Sequence, residues 1–148
     1  MNRYLDAMVA HDVSKAPFAA NAPYTENAKG VSPAKQAEGL MAISNSFGDY
    51  KLDVADPQQG QVAIVGLVKG GGKEAILSMR LRIEKRKITE IESIIVRPGS
   101  GLANLWTMKT VPVEFTRALD PKERVSRQEL PRINVFLRTD AISSLNGI

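Results

Sequence analysis

Past Gly48 the hydropathy pattern of this chain changes period, and that change limits the fold more than any single motif. Before it, apolar residues recur at helical spacing. After it, they alternate through extended segments joined by connections too short for a crossover. Tyr50, Leu52 and Val54 alternate with Asp49, Lys51 and Asp53, and the run from Asp56 through Pro57 to Gly60 is a turn. Gln61 to Val68 is almost continuously apolar, which suits a strand buried on both faces. Lys69-Gly70-Gly71-Gly72-Lys73 then forms a hairpin loop. Ala75, Leu77, Met79, Leu81 and Ile83 share one face of the next strand, with Ser78, Arg80, Arg82 and Glu84 mostly opposite and Ile76 breaking the alternation. Arg86-Lys87 turns the chain again into a last strand from Ile88 to Val96. Short connections make these four neighbours antiparallel.

Upstream, Tyr4, Leu5, Met8 and Val9 predict an amphipathic helix over residues 2–12, with Pro17 beyond it. From Lys15 to Pro33 the chain is rich in Ala, Asn and Pro, with one extended stretch, Tyr24-Thr25-Glu26-Asn27, whose alternation puts Tyr24 and Glu26 on one face. A second helix follows Pro33, with Ala34, Ala37, Leu40, Met41 and Ser44 on one side and Gly48 as its stop. Helix, short strand, short helix and meander make an α+β fold. The expected architecture is a curved antiparallel sheet forming a cone, with the N-terminal helices packed on its concave face. Residues 1–97 are read as the cone domain and residues 98–148 as a C-terminal extension.

The chain of 148 residues has no Cys and one His, which removes thiol nucleophiles, thiolate zinc, disulfides and multi-histidine metal centres. No metal and no cofactor is expected. The net charge is +4, but the first sixty residues are net acidic and the remainder net basic. The densest basic run, Lys85-Arg86-Lys87, is flanked by Glu84, Glu90 and Glu92, as on a solvated strand and turn. Aromatic residues make up 5% of the chain, too few for a base-stacking platform. No nucleic-acid partner is expected. No apolar run reaches membrane-span length, and the opening residues carry Arg3, Asp6 and His11, so the expectation is no membrane association, no export signal and a cytoplasmic location. Gly70-Gly71-Gly72-Lys73 is not a phosphate loop, because Leu67 stands at the first glycine position and Glu74 follows the lysine.

Several stretches taken together resemble a known family: Tyr4-Leu5-Asp6-Ala7 with Ala10-His11-Asp12, Tyr24-Thr25-Glu26-Asn27, Glu38-Gly39-Leu40, Val54-Ala55-Asp56-Pro57 with Gly60-Gln61-Val62, and Lys87-Ile88-Thr89-Glu90-Ile91-Glu92. They are similar to a branch of the nuclear-transport-factor-2-like superfamily, also called SnoaL-like or cystatin-like, over roughly residues 2–97. The resemblance implies a cone with a small-molecule pocket and leaves the reaction open, since the superfamily holds isomerases, dehydratases, hydrolases, cyclases and binding proteins without activity.

Within that frame three polar residues are candidates for catalysis. Glu26, on the strand face it shares with Tyr24, would be desolvated at the wall of the cone and so suited to acid/base work. Tyr24 would donate a hydrogen bond to a developing oxyanion. His11, on the stripe of Tyr4 and Met8, would sit near the rim and move protons. Each has a plainer reading, Glu26 and Asn27 as bonding partners of backbone and His11 as a helix-terminal residue tied to the next loop. Tyr4, Met8, Leu40, Met41, Tyr50, Met79 and Trp106 are candidate ligand-binding walls that serve equally as core. The expected function is small-molecule binding, with cofactor-independent lyase, isomerase or hydrolase chemistry on an apolar oxygenated substrate. The alternative is a non-catalytic ligand-binding or protein-interaction module that dimerises through its sheet.

Beyond Arg97, Pro98-Gly99-Ser100-Gly101 is a linker and Leu102 to Phe115 is apolar around Trp106. Val125 to Leu130 carries a capping box at Ser126 and Glu129, and Pro131 interrupts the helix it announces. The stripe of Ile133, Phe136 and Leu137 packs on its own domain or on a dimer mate, or opens a second, truncated cone unit. The sheet's outer face is apolar enough to need a cover, and a homodimer supplies it.

Overall fold

A computed structural model describes residues 1–31, 39–99 and 109–130. Trp106, the Ile133–Phe136–Leu137 stripe and the start of the second helix, Ala34 and Ala37, lie outside the described residues. The chain divides into two compact units, Met1–Pro112 and Val113–Ile148. The first is α+β. Helix α1 spans Asn2–Val9, strands β1 and β2 Tyr24–Glu26 and Lys29–Val31, and helix α2 Gly39–Ile43. Strands β3 to β6 follow as Ser46–Asp56, Gln61–Gly70, Lys73–Glu84 and Lys87–Val96.

The expected meander is present: β3, β4, β5 and β6 pair in sequence order, each antiparallel to the next. The sheet is larger than expected and mixed. Its order is β2-β1-β6-β5-β4-β3, and β1 runs parallel to β6. Short connections fix the direction of sequence neighbours only, and β1 and β6 lie far apart along the chain. Register shifts between Phe47 and Lys51 and between Arg82 and Ile83 interrupt the ladders, as bulges that bend a strand do. The sheet stays open and curves around the helices.

Cross-strand register shows how the faces divide. Asp53, Ile64, Met79 and Ser93 stand side by side on the concave face, and Leu52, Val65, Ser78 and Ile94 on the convex one. The concave face supplies Ile64, Val68, Leu77, Met79, Leu81 and Ile91 to a core that α1 completes with Tyr4, Leu5 and Met8 and α2 with Leu40 and Met41. Burying one such side chain is worth about 1.5–3 kcal/mol, so this face organises the domain. Strand β4 is less buried than its sequence suggests, because Val62, Ala63 and Val65 are only half-covered.

Two helix ends correct the sequence reading. Helix α1 stops at Val9, three residues early, in a Schellman motif: His11 adopts φ 52° and donates its N–H to Met8 O at 3.2 Å, and Asp12 N donates to Ala7 O at 2.9 Å. A left-handed histidine ends the helix where glycine is usual, so the pattern held no stop signal there. Gly48, read as the stop of α2, lies inside β3 instead. Helix α2 ends at Ile43, whose carbonyl oxygen would stand 1.9 Å from a Cβ at Gly70, so β4 needs glycine where it passes the helix end.

In the second unit the described residues form short 3-10 turns at Val113–Phe115 and Pro121–Glu123, the latter with a capping box at Asp120. The capping box read at Ser126 also forms: Glu129 N donates to Ser126 Oγ at 3.3 Å and Ser126 N to Glu129 Oε2 at 2.8 Å. Among the described residues no helix is long and apolar enough to cross a membrane.

Candidate ligand site

The period-two alternation of β1 turns Tyr24 and Glu26 inward together, and both are buried, at 3% and 8% exposed. The Tyr24 hydroxyl donates to Glu26 Oε2 at 3.2 Å, and the Leu40 N–H at the start of α2 donates to the same oxygen at 3.1 Å. Arg97, one residue past β6, forms an ion pair with Glu26 Oε1. Three donors thus offset the cost of taking this carboxylate out of water. Gly39 makes the approach possible, since its φ is +62° and a Cβ there would lie 2.8 Å from Glu26 Oε2.

Strand β6 adds Ser93, the register partner of Glu26, whose Oγ donates to the Thr25 carbonyl at 3.2 Å and lies 3.4 Å from the Tyr24 hydroxyl. Asn27 closes the end of β1 against Ile95, accepting its N–H at 2.8 Å and donating to its carbonyl at 3.1 Å. Burial pushes the Tyr24 phenol up to about 12; the hydrogen bond with Ser93 opposes the shift and the Glu26 charge adds to it. The Tyr4 phenol is held well above the usual tyrosine range, mainly by burial and further by Tyr24 and Glu26. Its hydroxyl is buried and has no hydrogen-bond partner among the described residues, while its ring meets Phe18 edge-on at 5.9 Å.

A cavity of about 320 Å³ opens between α2, the β4–β5 hairpin and the end of β6. Leu40, Val68, Ala75 and Ile95 give it apolar walls and Lys73 and Arg97 charged ones, while Ser44 borders it with its hydroxyl buried. Arg97 also lines a shallow groove on the side of Glu26 and Gly39, so this residue borders both spaces.

Of the residues singled out in the sequence, Glu26 and Tyr24 are brought into contact. His11 is not on the helical stripe of Tyr4 and Met8: its left-handed backbone carries it past the helix end, and its Nδ1 lies 2.7 Å from the Met41 carbonyl oxygen. Leu40 lines the cavity, whereas Tyr4, Met8, Met41 and Met79 are packed in the core and Tyr50 is buried on β3. Sequence reasoning passed over Arg97, Ser93, Ser44 and Lys73. The first two were within reach, because alternation from Ile91 through Ser93 and Ile95 to Arg97 keeps one face.

A family model described as a domain of unknown function, DUF8021, matches residues 1–95. The chain belongs to that family. No functionally curated protein matches it. Among solved structures, it is similar to an uncharacterized protein conserved in bacteria, with a cystatin-like fold, from Silicibacter pomeroyi: 14% identity over 66% of this chain and 73% of that one, with a TM-score of 0.50. An NTF2-like protein from Burkholderia xenovorans is 18% identical over 69% of this chain and 87% of its own, with a TM-score of 0.49. At such identities the likeness is one of fold, and the cystatin-like fold expected from the sequence holds at that level.

Proposed function

We propose that this DUF8021 chain binds a small molecule in the cavity beside α2, with Glu26, Tyr24 and Arg97 as the polar groups at its edge. The observation that carries this reading is the joining of a buried Glu26–Tyr24 pair to an apolar cavity through one arginine. Sites that take small ligands are apolar spaces with a few convergent polar groups, and this one fits that description.

The catalytic form of the reading is cofactor-independent acid/base chemistry on an apolar oxygenated substrate, of the lyase, isomerase or hydrolase kind. Glu26 would carry the proton and Tyr24 would donate to the developing oxyanion. Oε1 of Glu26 is held by Arg97, so a proton reaches that oxygen only when the guanidinium moves. Glu26→Gln keeps the side chain's size and removes its charge. Loss of turnover on any substrate found by screening supports the role, and unchanged turnover removes Glu26 from the mechanism.

The non-catalytic alternative has its own support. Both oxygens of Glu26 are engaged, and His11 Nδ1 is committed to Met41. Under this reading the chain dimerises through its convex sheet, where Val54 is 61% and Ile94 57% exposed beside Leu52 and Val65. Sedimentation of the full chain tests it: a dimer at micromolar concentration that Ile94→Lys dissociates supports the interface, and a monomer refutes it.

A further inference from the structure

Independently of the small-molecule reading, and on a different surface from the convex face, we infer that two copies of this chain join edge to edge through β3, in an antiparallel ladder centred on Leu52. Strand β3 ends the sheet, and its 11 residues make a long edge beside the 3 of β2 at the other end. Asp53, Val54 and Ala55 are exposed in succession, so neither face of the strand is covered there. Among the described residues, the backbone from Lys51 to Ala55 bonds only to β4.

The charges on this edge select the partner. Lys51 and Asp53 are both exposed, on one face and about 7 Å apart along the strand. Their ladder partners on β4 are Gly66 and Ile64, and among the described residues neither side chain makes an ion pair. Directly opposed residues of a ladder share a face, so two identical antiparallel strands pair about a residue. Centred on Lys51, such a ladder sets Lys51 against itself and Asp49 against Asp53, and centred on Asp53 it sets that carboxylate against itself. A centre at Tyr50 pairs Asp49 with Lys51 but falls in the irregular stretch between Phe47 and Lys51. Centred on Leu52, Lys51 of each copy meets Asp53 of the other, and symmetry makes the pair twice. Leu52 then faces its own counterpart on the convex side, with Val54, 61% exposed, diagonal to it. Edge charges commonly block strand pairing, and these instead favour one register over its neighbours.

The test is sedimentation velocity of the full chain. A ladder of this length is smaller than a standard interface, so a reversible dimer is expected to assemble between about 10 and 200 μM and to weaken as salt rises. Lys51→Asp and Asp53→Lys each set like charges opposite one another, and each alone should weaken association at least about tenfold. An equal mixture of the two variants restores both attractions, so it should dimerise where neither does alone. That recovery cannot come from a variant that has lost its fold. Ile94→Lys, on β6 beyond β4 and β5, should leave the dimer unchanged. A parent that stays monomeric throughout this range overturns the inference. So does a dimer indifferent to Asp53→Lys, which would use another register or surface, and so does a mixture that fails to recover. Dissociation by Ile94→Lys assigns the dimer to the convex face and refutes the edge contact, while the small-molecule reading is untouched by any of these outcomes.

Discussion

Two arginine–glutamate clusters of this domain use the same functional groups in opposite settings. On the convex face Arg80 Nη2 lies 2.6 Å from Glu90 and 3.1 Å from Glu92, with side-chain exposures of 28%, 35% and 54%. At the edge of the concave side Arg97 pairs with Glu26, whose side chain is 9% exposed against 49% for the arginine. The convex carboxylates stay in contact with water, so losing the arginine costs them little. Glu26 has given up most of its water and depends on Tyr24, Leu40 N and Arg97 instead. A short distance is therefore a poor guide to what an ion pair does. The inner pair holds a charge beside a cavity, while the outer one decorates a surface.

The largest effect should come from removing the inner carboxylate. Glu26→Ala leaves the Tyr24 hydroxyl without an acceptor, orphans the Leu40 N–H and opens space, a loss of about 3 kcal/mol in unfolding free energy. Denaturant titration measures it, and a loss below about 1 kcal/mol would put this pair on a level with the convex one.

Alkali should separate the two settings next. The Tyr24 phenol is raised in the folded state from 10.0 to about 12, so the unfolded chain gives up its proton first. Its contribution is fully present below pH 10 and is lost as the pH rises toward 12, at most about 3 kcal/mol. Tyr4 shifts in the same direction. Tyr24→Phe should therefore flatten part of the alkaline limb of a stability–pH curve, and an unchanged limb would mean that Tyr24 ionises as freely folded as unfolded.

The same contrast explains what could be read in advance. The meander, the face shared by Tyr24 and Glu26 and the inward row of β5 follow from period-two alternation, a property of neighbouring residues. The partners of those residues come from elsewhere. Glu26 and Arg97 are 71 positions apart, and they meet only because β1 docks in parallel beside β6. Arg97 itself lies at the expected domain boundary, one residue beyond the expected end of the last strand. His11 was misplaced because a left-handed helix end is announced by glycine and is silent in a histidine. Helix α2 ends against Gly70 of β4, a contact between segments whose local patterns say nothing of each other.

A smaller effect should follow from removing the inner cation. Arg97→Met leaves Glu26 with Tyr24 and Leu40 N on Oε2 and nothing from the guanidinium on Oε1. The groove beside it admits water, which limits the loss to about 2 kcal/mol. Arg97→Lys restores the charge without the planar fork and should recover part of the stability. If the methionine variant is as stable as the parent, water satisfies Glu26 Oε1 as well as arginine does.

The smallest effect belongs to Arg80→Ala. Glu90 and Glu92 stand two residues apart on one face of β6, so the arginine also screens their mutual repulsion. All three side chains remain hydrated, and holding a long arginine in place costs entropy that its removal returns. These terms leave a net loss of about 1 kcal/mol or less. Salt makes the comparison sharp. At about 1 M ionic strength the Debye length falls to about 3 Å, so the cost of Arg80→Ala should vanish while that of Glu26→Ala persists. Parallel denaturation of both variants at low and high salt measures the two responses. Equal salt sensitivity would mean that Glu26 is hydrated as the convex carboxylates are, and that the inner pair differs from the outer only in place.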